Sequence, residues 1–133
     1  MAAPNIVNVT TITGITTFKA GIAVTTGGGG SLGVTTVVAN PASSSKVIKV
    51  NSLVAAAIGS TTGVTLQYFD HVNHVSAAST VSIAMTAAVP TFSSLVVISK
   101  ENSIYLEENT SLGIFAQPFA GSIDIVCSYE EIS

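Results

Sequence analysis

The last stretch of the chain, SIDIVCSYEEI at 122–132, alternates apolar and polar side chains with period two. Ile123, Ile125, Cys127 and Tyr129 fall on one face of an extended backbone, and Asp124, Ser128 and Glu130 on the other. That is the pattern of a half-buried strand. KVIKVNSLV at 46–54 repeats it, with Val47, Lys49, Asn51 and Leu53 on one side and Ile48, Val50 and Ser52 on the other. Enrichment in Val, Ile, Thr, Phe and Tyr predicts further strands at 6–12, 16–24, 34–39, 64–70, 81–86, 95–99, 104–106 and 112–116. The intervals carry turn chemistry. NPASSS at 40–45 contains Pro41, which cannot donate to a ladder. EENTS at 107–111 places Asn109 where a tight turn requires left-handed backbone, and AQPFAGS at 116–122 leads into the final strand. Helical periodicity is nearly absent. Ten short strands joined by turns predict an all-β fold, a single antiparallel β-sandwich of jelly-roll-like form. The sandwich is expected over 21–133, and residues 1–20 as an extended N-terminal arm or first strands. In that arm Ile6, Val7, Val9 and Ile12 are expected to add a strand to this sheet or to a neighbour's.

At 133 residues there is room for one domain and one core. Charged residues make up only 8% of the chain, where a soluble domain usually carries about 25%. Arginine is absent, lysine occurs at 19, 46, 49 and 100, and the net charge is −3. Binding to nucleic acid draws most of its affinity from cations set against phosphates, so that class is excluded. Seventeen serines and sixteen threonines fill the space that charges would occupy. Hydroxyls and methyls are cheap to desolvate beside an unpaired charge, whereas interspersed charges normally keep a solitary domain apart from its neighbours. Much of this surface is therefore expected to be covered by another protein or by copies of the chain. A homo-oligomer is the expectation, with a trimer as a guess that composition does not supply. The one cysteine excludes an internal disulfide. MAAPNIVNVT lacks the basic start and apolar block of a signal peptide, and no run approaches the ~18 apolar residues of a membrane span. The expectation is a chain made and kept soluble inside a cell, with no membrane partner.

Two catalytic signatures overlap at GGGSLG. Gly28, Gly30 and Gly33 fit the dinucleotide fingerprint, and Gly29, Ser31 and Gly33 fit a nucleophile elbow. Both need a helix immediately afterwards, yet VTTVVANPASSS is β-branched and then broken by Pro41. A flexible inter-strand loop is the expectation. In FDHVNH, Asp70, His71 and His74 are legitimate metal ligands, but on a strand the two histidines face opposite sides and no further ligand is evident. Cys127 shares its face with Ile123, Ile125 and Tyr129, a core position rather than a nucleophile's. Glu107 with Glu108, and Glu130 with Glu131, are adjacent pairs that read as solvated charges or edge protection. The sequons Asn8-Val9-Thr10 and Asn109-Thr110-Ser111 lack a secretory context. No catalytic, metal or cofactor residue is assigned, and the chain is not expected to be an enzyme.

Three stretches carry a family likeness: PNIVNVTTITG near the start, KVIKVNSLVAA with GVTLQYFD in the middle, and LVVISKENSIYLEENTSLGIFAQPFAGSIDIVCSYEEIS at the end. Together they resemble small virion structural proteins of tailed bacteriophages, above all those of marine and cyanobacterial phages. The likeness covers most of the chain except the glycine loop and HVNHVSAASTVS, and its most specific parts are IYLEENTSL and SYEEIS. Where the family more often has Glu-Gly-Asp, this chain has Glu108-Asn109-Thr110. The resemblance implies a non-enzymatic β-sandwich that decorates or cements a virion assembled in a bacterial cytoplasm, with the major capsid protein or another virion protein as partner. A neck, tail or baseplate component is the alternative in the same class. A carbohydrate- or host-binding module is the alternative from another, although only Tyr68, Tyr105 and Tyr129, and no Trp, are present for stacking on sugars.

Overall fold

The alternating segments form nine strands in the computed structural model, which describes residues 8–23, 33–73, 79–117 and 121–133. They are β1 (Ile12–Ala23), β2 (Thr35–Asn40), β3 (Val47–Ile58), β4 (Thr62–Phe69), β5 (Thr80–Val89), β6 (Ser94–Ile98), β7 (Ile104–Leu106), β8 (Thr110–Gln117) and β9 (Ser122–Ile132). One sheet has the order β1-β9-β3-β6, with β7 sharing the far edge of β3; the other has the order β2-β8-β4-β5. Every pairing is antiparallel. The chain crosses between sheets at most of its turns; the central strands β3, β9, β4 and β8 bury their inner faces against the opposite sheet, while the edge strands β1 and β5 bury only Ile22 and Val89. The protein is an antiparallel β-sandwich.

The core is aliphatic. Val50, Leu53, Ala55, Ile123, Ile125 and Cys127 of the first sheet meet Val64, Leu66, Leu112, Ile114 and Ala116 of the second. Each large member contributes about 1.5–3 kcal/mol through burial. In β9 the expected alternation holds, with Ile123, Ile125 and Cys127 buried. In β3 it does not. The ladder slips between Val50 and Ser52, leaving Asn51 as an extra residue. This β-bulge reverses the phase, so Ile48 and Val50 point inward before it and Leu53, Ala55 and Ala57 after it. Val47, Lys49, Asn51 and Leu53 therefore do not share one face. A similar slip between Thr36 and Val38 lets Val37 and Val38 both be buried.

The strand expected at 6–12 is also corrected, over its described part. Residues 8–11 are not strand, and residues 1–7, with Ile6 and Val7, lie outside the described residues. Thr10 and Thr11 donate their amides to the Ser133 carbonyl, and Ser133 donates back to Thr11. From Ile12 the chain is a single strand to Ala23, paired along β9 up to Lys19 and again from Ile22, with a bulge at Ala20 and Gly21, where Gly21 is left-handed (φ 64°). Any separable arm therefore ends before Ile12.

One corner is held by a buried side chain. The Asn40 Nδ2 donates to the carbonyls of Lys46 (2.9 Å) and Leu106 (3.0 Å), and its Oδ1 accepts from the Ser44 hydroxyl at 2.6 Å. Its own carbonyl accepts from the Asn109 amide at 2.9 Å. Asn109 has φ 61°, the left-handed backbone expected of that turn.

Candidate interaction surface

The candidate catalytic residues are spread apart and spent on structure. Residues 24–32, including Gly28, Gly29, Gly30 and Ser31, lie outside the described residues. Gly33 has φ 109° and leads into β2, a strand where both glycine signatures require a helix. His74 also lies outside the described residues. The His71 Nδ1 accepts from the Asn73 amide at 3.0 Å, which is a local turn contact, and Asp70 is exposed. Among the described residues no three His, Cys, Asp or Glu side chains converge. Cys127 is fully buried between Leu53 and Thr17, its cross-strand partners, and burial pushes its thiol up to about 12. A nucleophile needs the opposite shift.

The acids act on the backbone and on lysine. The Glu108 carboxylate accepts from the Ser45 amide at 2.6 Å, where Ser45 is itself left-handed (φ 56°). Glu131 pairs with Lys46 at 2.7 Å, and Glu130 lies across the ladder from Lys49. Tyr129 is raised above its ordinary value by burial first, then by the Glu131 carboxylate. The Asn109 Oδ1 accepts from the Val72 amide, so that sequon is tied into a turn. Of the expected arm residues, Val9 and Ile12 are exposed, with Ile12 opposite Ile132 at the start of β1.

What the fold assembles instead is surface. Across the outer face of the first sheet, Phe18, Val126, Val54 and Val96 are successive cross-strand partners on β1, β9, β3 and β6. Phe18 is 72% exposed, Val126 48% and Val96 59%. The outward positions beside this row are Thr16, Ser128 and Ser52 on one side and Asp124, Ala56 and Ser94 on the other, all small except Asp124. The second sheet differs, because its outward Thr65 and Phe115, which face each other on β4 and β8, are both buried. Its edge strand β5 carries no charged residue and exposes Val81, Ile83 and Met85. At the end of the sandwich Phe92 stands 82% exposed on a left-handed backbone (φ 55°) in the Pro90–Ser93 turn. Sequence reasoning passed over this surface. Its signal was Val126, an apolar residue in the polar phase of β9.

Comparison with protein-family models, with curated proteins and with solved structures finds no match.

Proposed function

We propose that the protein is a structural subunit of a tailed-phage particle that decorates or cements the capsid by binding across neighbouring major capsid protein subunits. The strand order β1-β9-β3-β6 over β2-β8-β4-β5 fits the jelly-roll form expected from the strand pattern, and the resemblance implies a β-sandwich. The observation that carries the reading is β5. Among the described residues it pairs with β4 alone, and it carries no charge or proline. Edge strands of solitary domains are normally blunted by such residues or by β-bulges. β5 has only the bulges, at Ile83 and between Ala84 and Ala87, where Thr86 is left-handed (φ 49°). An uncharged edge of this kind fits strand addition by a partner: main-chain hydrogen bonds supply affinity, and Val81, Ile83 and Met85 supply apolar contact. The mechanism is mechanical, since a cap crossing a subunit boundary adds interface that must be broken before the shell can part.

The test is sedimentation with phage capsids that lack the protein. Wild-type protein pellets with the shells; Ile83→Lys with Met85→Lys stays in the supernatant while keeping its strand-type circular dichroism. Co-sedimentation of the double variant at wild-type level would refute the assignment to β5. Removing residues 1–11 tests the arm separately and leaves β1 whole. Copy number separates the head, at hundreds per particle, from the neck or tail, at a handful.

A further inference from the structure

We infer that the outer face of the first sheet pairs with the same face of a second copy of this chain, about a two-fold axis running parallel to the strands between β9 and β3. Such an axis lays β9 over β3 of the second copy, and β1 over the β6 and β7 edge. Each cross-strand row must then match its own reversal. In the apolar row Phe18 meets Val96 and Val126 meets Val54. The next row reads Gly14, Glu130, Lys49, Tyr105 across β1, β9, β3 and β7. Reversed, it sets Glu130 on Lys49 and Lys49 on Glu130, two ion pairs per dimer, and sets Gly14 beneath Tyr105. Between these rows lie Ser128 and Ser52, small in both copies.

Gly14 is the independent observation. Its backbone is not left-handed, and a Cβ there would meet nothing within 4 Å. Nothing inside the chain requires glycine in the middle of this strand, where it weakens the strand relative to a β-branched residue. A second copy does require it, because Tyr105 is exposed and needs room opposite. Charge selects the same occupant. Lys49 and Glu130 offset one another, which leaves the face a net of one negative charge at Asp124, whose carboxylate accepts from the Gly21 amide at 2.7 Å, too little to hold a strongly charged partner. Four strands about 4.8 Å apart and about ten residues long at ~3.3 Å each span roughly 600 Å². That reaches the lower bound of about 600 Å² per partner for a stable interface. The inferred pairing joins two copies.

The test is sedimentation equilibrium of the purified chain over a micromolar concentration series, so its outcome is separate from capsid binding. Wild-type protein forms dimers. Gly14→Trp, Glu130→Lys and Lys49→Glu each weaken dimerisation by about tenfold or more, because each defect occurs twice per dimer, while circular dichroism stays that of the wild type. Mixing E130K with K49E restores a one-to-one dimer, since each copy then supplies the charge the other lacks; neither variant alone can do so. A wild-type monomer, a trimer, a dimer indifferent to G14W, or a mixture that fails to reassociate would each overturn the inference.

Discussion

Replacing Asn40 with Ala removes the side chain that joins the end of β2, the 41–46 turn and β7. Three hydrogen bonds are lost, at 2.9, 3.0 and 2.6 Å. They are not equal. The Leu106 carbonyl belongs to a fully buried residue and would be left without its partner, at a cost of about 1–3 kcal/mol. The Lys46 carbonyl and the Ser44 hydroxyl are only partly buried and regain water, so each loses about 0.5–1 kcal/mol. The sum is about 3 kcal/mol, a large share of the roughly 5–15 kcal/mol that holds such a domain. For a chain of this length it lowers the melting midpoint by about 10 °C. Urea unfolding, followed by circular dichroism and compared with Ser44→Ala, separates the contributions: S44A loses two partly buried contacts, to the Asn40 Oδ1 and from the Lys46 amide, and falls by about 1–2 kcal/mol. An N40A variant within 1 kcal/mol of wild type, with an unchanged denaturant slope, would refute the claim that this one amide holds the corner.

Alkaline pH gives a second prediction. The folded state holds the Cys127 proton up to about 12, while an unfolded thiol releases it near 8.5. A raised value means that stability is complete below the unfolded value and is lost as pH rises toward the folded one. Urea midpoints should therefore fall between about pH 9 and 12, Tyr129 acting in the same direction. Cys127→Ala should flatten that fall, and identical pH slopes for the two proteins would count against it. Native Cys127 should also resist thiol reagents at pH 8 and react once urea unfolds the chain. Gly121→Ala sets a Cβ 2.6 Å from the Thr62 hydroxyl and 2.7 Å from that of Ser60, at φ 154°. It should cost about 2 kcal/mol or more in unfolding measurements, and a neutral result would show that the β8–β9 turn yields freely.

The sandwich was legible because its central strands bury their inner faces. In β9 there is no extra residue from Ser122 to Ile132, because the slips of its two ladders fall in β1 and β3, so a period-two reading found the core. In β3 the same reading failed after Val50. A bulge is decided by the partner strand, here β9, and Asn51 carries no local mark of it. The start of β1 was misjudged for a related reason. Gly14 looked like a break between two short strands, but pairing to β9 on both sides carries the strand through it.

The same limit explains why the surface escaped notice. Phe18 and Val96 lie 78 positions apart, and no local window holds both. Register alone lines them up with Val54 and Val126, because each step across a sheet joins segments distant in the chain. A low charge count could indicate that something covers the outside of this molecule, but not which side. The second sheet already encloses its outward Thr65 and Phe115, whereas the first leaves Phe18, Val126 and Val96 bare. The strands of the second sheet carry no charged residue, whereas Lys49, Asp124 and Glu130 lie on the first sheet's outer face, so the bare apolar row and the β5 edge, rather than charge alone, mark where contact with other chains would fall. Charge added elsewhere, at Thr36 for example, should then leave assembly unchanged, while one lysine in place of Val126 should abolish pairing of the copies without unfolding either.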